Sequence, residues 1–88
     1  MIFKDIKVKN QSGLHGRPAT FFIQKANEFR CTIWVERGEQ RVNAKSLLGV
    51  LSLGVFGETS IRIVAEGNDE EAAVEALAAL IENEFTGN

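Results

Sequence analysis

TIWVERGEQRVNA, residues 32–44, is the stretch on which the fold turns. Its first six residues set Ile33 and Val35 on one face against Thr32, Trp34 and Glu36 on the other, the period of two expected of a half-buried strand. Residues 40–44 give a second short extended segment, and Gly38-Glu39 between the two supplies the tight glycine turn of a β-hairpin. Upstream, Ala19, Phe22, Ile23 and Ala26 recur at i, i+3, i+4 and i+7, so residues 18–27 are expected to form a helix started by Pro18. Before it, residues 2–9 alternate Lys4, Ile6 and Val8 with Phe3, Asp5, Lys7 and Lys9, a noisy first strand.

Downstream, Ser46 precedes LLGVLSLG, residues 47–54, whose crowded Leu47, Leu48, Val50 and Leu51 make a short helix with Ser46 as N-cap and Gly54 as its left-handed stop. Residues 60–66 alternate Ile61, Ile63 and Ala65 against Ser60, Arg62, Val64 and Glu66, a fourth strand. Asn68 is expected to cap the last helix, with Glu71 as the other half of a capping box and Val74, Leu77, Ala78 and Ile81 as its buried stripe. The order is therefore β-α-β-β-α-β-α. Because a helix joins the first two strands they should run parallel, and a right-handed crossover leaves between them a gap that the fourth strand fills. The expected fold is α+β, a two-layer open-faced sandwich. Its four-stranded antiparallel sheet has the order 1-4-2-3, with the helices on one face. With no repeat, linker or low-complexity tract, residues 1–88 are read as one domain.

Composition narrows the function. A chain of 88 residues can bury roughly 60 to 65 per cent of its unfolded surface in one core. Its 44% hydrophobic and 25% charged residues are those of an ordinary folded domain. The net charge of −2 comes from both signs spread along the chain, without the Lys/Arg run that nucleic acid would require. Cys31 is the sole cysteine, so no internal disulfide can form; it is read as a small buried hydrophobe, in keeping with a reducing cytoplasm. MIFKDIKVKN, residues 1–10, lacks the continuous apolar stretch of a signal peptide. Residues 47–56 are interrupted by Gly49, Ser52 and Gly54 and reach about half the length of a bilayer span. A cytoplasmic monomer without membrane insertion is expected. One histidine and one cysteine make no metal set, and no cofactor is implied.

SGLHGRPAT, residues 12–20, carries the chemistry. Proline favours the first position of a helix, so Pro18 places His15, Gly16 and Arg17 at or just before a helix N-terminus. Free N–H groups and the positive end of the dipole favour an anion there, Gly16 lets it approach the main chain, and the Arg17 guanidinium suits phosphate oxygens. A neutral imidazole at such a place can attack phosphorus, which makes His15 a candidate phosphoryl acceptor. The plainer readings are a solvated loop histidine and a surface arginine.

GLHGRPA (residues 13–19) and VNAKSLLGVLSLG (residues 42–54), with the element order along essentially the whole chain, resemble HPr, the histidine-containing phosphocarrier family of the bacterial phosphoenolpyruvate-dependent sugar phosphotransferase system. The resemblance implies that His15 takes a phosphoryl group on Nδ1 from phosphorylated enzyme I and passes it to the A domain of a sugar-specific enzyme II. Arg17 and the main-chain N–H groups of Gly16 and Arg17 would hold that group. The family usually has alanine at the place of Gly16, a departure expected to loosen the backbone and to cost roughly 1 kcal/mol if the position is helical. The second motif looks like that of HPr from low-GC Gram-positive bacteria, which implies phosphorylation of Ser46 by HPr kinase/phosphorylase. Phospho-Ser46 would repel acidic surface on enzyme I and favour catabolite control protein A, and so act in carbon catabolite repression. A plain N-cap serine is the structural alternative. Leu47, Leu48 and Leu51 are read as a docking patch, Val50 as core, and Thr20 as a further contact. The protein is thus expected to be a phosphoryl carrier and not an enzyme. A regulatory paralogue of the Crh type, which lacks the active histidine, is the second reading. A small phosphohistidine hydrolase is the third, for which no water-activating base stands out.

Overall fold

In the computed structural model, which describes residues 1–85, the elements follow in the expected order: β1 (Ile2–Val8), α1 (Arg17–Ala26), β2 (Thr32–Arg37), β3 (Gln40–Asn43), α2 (Leu47–Ser52), β4 (Thr59–Glu66) and α3 (Glu70–Glu82). β2 and β3 form the hairpin, Trp34 opposite Asn43 and Arg37 opposite Gln40. β4 lies between β1 and β2 and runs antiparallel to both, so β1 and β2 are parallel and the sheet order is β1-β4-β2-β3. The inward residues Val8, Ile33, Val35, Ile61, Ile63 and Ala65 form one cluster with Ala19, Phe22 and Ala26 of α1, Val50 of α2, and Ala73, Val74, Leu77 and Ile81 of α3. All three helices therefore cover one face. Each large side chain fully buried there contributes about 1.5–3 kcal/mol.

Two helix starts differ from the sequence reading. α1 begins at Arg17 with Gly16 as N-cap, so Pro18 is its second residue and not its first. α3 is capped by Asp69 rather than Asn68, and the Asp69 side chain does not cap its own helix. Its two carboxylate oxygens accept the N–H groups of Arg30 (2.9 Å) and Cys31 (3.0 Å), which would otherwise lack partners where the chain enters β2. A tertiary demand has overridden the local cap, and Glu70, not Glu71, accepts the N–H of Gly67 at 3.0 Å.

The open face of the sheet holds a second departure. Val64, placed by alternation with the outward residues, is buried to 4% exposure yet stands apart from the main core. In register it lies between Phe3 of β1 and Trp34 of β2. Arg62 lies 4.1 Å from the centre of the Phe3 ring and Arg41 lies 4.8 Å from that of Trp34. The guanidiniums roof an apolar rung that would otherwise meet water.

Candidate functional site

Residues 9–16, between β1 and α1, and residues 53–58, between α2 and β4, build the site as two interlocked loops. The Leu14 N–H donates to the Val55 carbonyl at 2.9 Å, and the Glu58 N–H donates to that of Val8 at 2.7 Å. Leu14 and Val55 are both fully buried, which fixes the junction in the core. Gly13 sits at φ 59°, and a Cβ on it would lie 2.2 Å from the Val55 oxygen and 2.5 Å from the Phe56 Cα. Only glycine admits so close an approach of two backbones.

His15 leaves this junction one residue before the N-cap of α1. Its imidazole is stacked on the Phe56 ring, centroids 4.3 Å apart and planes 9° from parallel. Nε2 is buried without a hydrogen-bond partner among the described residues, whereas Nδ1 is not among the buried, unpartnered atoms. Gly16 has φ 63° and ψ −137°, a backbone conformation that L side chains rarely adopt. It lies outside the helix, so the helix-propensity cost expected of a glycine here does not arise. Among the described residues no side chain caps α1, its first turn holds no acid, and Pro18 has no N–H. The N–H groups of Arg17 and Ala19 are left for an acceptor from outside. Arg17 is exposed, has no carboxylate partner among the described residues, and lies 5.7 Å from the centre of the Phe21 ring. Thr20 is exposed one turn on, its hydroxyl donating weakly to the Gly16 carbonyl at 3.5 Å.

Ser46 is the N-cap of α2, its Oγ accepting the Gly49 N–H at 3.1 Å. Of the hydrophobic residues in α2, Leu48 is 81% and Leu47 46% exposed, whereas Val50 is fully buried and Leu51 packs half-buried against the core. The three candidate docking leucines thus divide, two outward and one partly inward. Residues 6–27 and 40–57, which supply α1, α2 and most of both loops, contain no Asp or Glu. Phe56 is the site residue that the sequence reading missed. It follows the Gly54 helix stop and belongs to no helical or strand stripe, so periodicity is blind to it. Its one signal is that it is a large aromatic, 56% exposed, in a loop next to a glycine. No helix among the described residues is long and apolar enough to cross a membrane.

Residues 2–83 match the PTS-HPr family model, the PTS HPr component phosphorylation site. The HPr-like protein Crh of Halalkalibacterium halodurans is 45% identical over 84 residues, covering 96% of this chain and 100% of that protein. The phosphocarrier protein HPr of Treponema pallidum is 39% identical over 85 residues, covering 97% of each chain. Among solved structures, HPr-C-His from Thermoanaerobacter tengcongensis is similar at a TM-score of 0.97 and 46% identity, covering 100% of this chain and 99% of that one. An HPr dimer from the same organism is similar at 0.78 and 50% identity, covering 91% and 92% of the two chains, and it runs against the expectation of a monomer.

Proposed function

The chain belongs to the PTS-HPr family of phosphocarrier proteins, and on that premise we propose that His15 accepts a phosphoryl group on Nδ1 from phosphorylated enzyme I and passes it to the A domain of a sugar-specific enzyme II. One observation carries the reading. Among the described residues His15 stands at an uncapped helix start beside an arginine without a carboxylate partner, its Nε2 buried and unpartnered, which leaves Nδ1 as the nitrogen for phosphorus. The Nδ1–phosphorus bond forms as the donor's bond to phosphorus breaks and its electron pair leaves with the donor. The phosphoryl oxygens then meet the Arg17 guanidinium and the main-chain N–H groups of Gly16 and Arg17, all of which favour the charge. The reverse exchange delivers the group to the acceptor, so the protein holds phosphate between partners in the cytoplasm and turns over nothing itself. Leu47 and Leu48, with Thr20 and the accessible part of Leu51, form the docking surface around it.

Ser46 is the regulatory position in this reading. A phosphate placed there by HPr kinase/phosphorylase adds about two negative charges to a segment, residues 40–57, that has no acid of its own. Attraction for acidic surface on enzyme I turns to repulsion, and catabolite control protein A is favoured instead. The direct experiment mixes the protein with phosphoenolpyruvate and enzyme I. An acid-labile phosphate is expected on His15 and not on His15→Ala; its absence from the unaltered protein refutes the carrier assignment.

A regulatory role through phospho-Ser46 alone is the second reading, favoured by the similarity to Crh. His15 argues for transport, since the resemblance implies that paralogues of the Crh type lack that histidine. Passage of the label from His15 to an enzyme II A domain separates the two readings.

A further inference from the structure

We propose that Phe56 is a positioning residue for phosphoryl transfer: its ring fixes the plane of the His15 imidazole and hence the line along which Nδ1 meets phosphorus. The inference rests on His15 being the phosphoryl acceptor. A reacting imidazole is ordinarily oriented by a hydrogen bond from its other nitrogen to a carboxylate or carbonyl. Here Nε2 is buried and has no such partner among the described residues. The neighbouring residue offers no restraint either, because Gly16 has no Cβ and its surroundings hold nothing within 4 Å of where one would be. Phe56 supplies the one ring contact of His15 among the described residues, at 4.3 Å and 9°.

That contact is held rigidly. Phe56 follows Val55, whose carbonyl accepts the Leu14 N–H at 2.9 Å, and its backbone lies against Gly13, where a Cβ would come within 2.5 Å of the Phe56 Cα. The two rings therefore rise from one junction of two locked loops. Core packing does not account for Phe56, which is 56% exposed. The chemistry is compatible with the stack, because the Nδ1 lone pair lies in the plane of the imidazole. A ring over its face leaves the approach of phosphorus clear, and the phosphorylated ring can stay stacked. No atom of Phe56 enters the reaction.

Phe56→Ala, Phe56→Leu and Phe56→Tyr test this. In proton spectra of the unaltered free protein and of Phe56→Tyr, the His15 ring protons are expected upfield through the current of the stacked aromatic, and in the Ala and Leu variants they return toward ordinary values. In uptake from phosphorylated enzyme I, Phe56→Ala and Phe56→Leu are expected to lower kcat roughly twofold to tenfold, the strength of one aromatic pair, with KM unchanged. Phe56→Tyr restores it. Phe56→Leu keeps an apolar side chain, so the result does not hang on the folding of the alanine variant. A raised KM with unchanged kcat makes Phe56 a docking contact and overturns the inference, as does a leucine variant as fast as the unaltered protein. If the unaltered protein takes no phosphate on His15, the carrier reading fails and this one with it. If it takes phosphate but shows no upfield ring protons, the inference alone fails.

Discussion

Gly16 stands where the resemblance implies alanine, and its backbone shows what the exchange does. At φ 63° and ψ −137° an L side chain is strained, while a Cβ there would touch nothing within 4 Å. The cost of a methyl group is then torsional and not steric. Gly16→Ala is expected to lower the unfolding free energy by about 1–2 kcal/mol, read from urea denaturation, while His15 still takes its label. A variant as stable as the parent would mean that the backbone escapes to an ordinary conformation at no cost. The sequence announces the candidate anion-binding residues, because glycine, arginine and proline each have a local effect on the backbone or charge that their identity declares. What it does not declare is that glycine occupies a non-helical position, which reverses the sign of its expected cost.

Strands and helices were legible because alternation and the i, i+3, i+4 stripe are local, and every predicted element exists within a residue or two of its expected place. The misreadings have long-range causes. Val64 is buried by Phe3 and Trp34 across two strand pairings, and Asp69 is drawn away from its own helix by the N–H groups of Arg30 and Cys31. The Asp69 clasp joins the start of α3 to the entry of β2, and it includes the thiol of Cys31. Burial first, and then the hydrogen bond to the Asp69 carboxylate, push that thiol up from 9.0 to about 11. The same thiol, and then the Arg30 N–H, hold the Asp69 carboxyl below its ordinary value. The folded chain keeps the thiol proton that the unfolded chain surrenders. The contribution of Cys31 to stability is thus complete below pH 9.0 and is lost as pH rises toward about 11. The Asp69 contribution has the opposite sense, present at neutral pH and lost as pH falls through its lowered value. Unfolding free energy followed against pH should therefore decline at both ends. Cys31→Ala should remove the alkaline decline that belongs to this group, and an unaltered alkaline limb in that variant would show that the thiol contributes nothing to it.

Across the whole molecule, a net charge of −2 conceals a division that residue counting does not reveal. α3 carries Glu70, Glu71, Glu75 and Glu82 with no base, while residues 6–27 and 40–57, which surround His15 and form α2, have no acid. In the proposed docking, such a division would orient the molecule toward an acidic partner before contact, whereas exposed leucines would act only after contact, when they leave water. The two effects fall on different rate constants. Stopped-flow mixing with enzyme I should show the association rate falling as salt rises from about 50 to 300 mM, since the Debye length shrinks from roughly 14 to 6 Å. Leu48→Ser removes a side chain that is 81% exposed and outside the core. It should leave folding stability within about 0.5 kcal/mol, because nothing in the fold depends on it. Its effect should appear as dissociation faster by roughly tenfold, on the scale of a truncated interface anchor, with the salt dependence of association unchanged. An unchanged dissociation rate would remove α2 from the docking surface, and an association rate indifferent to salt would show that the division of charge has no part in finding the partner.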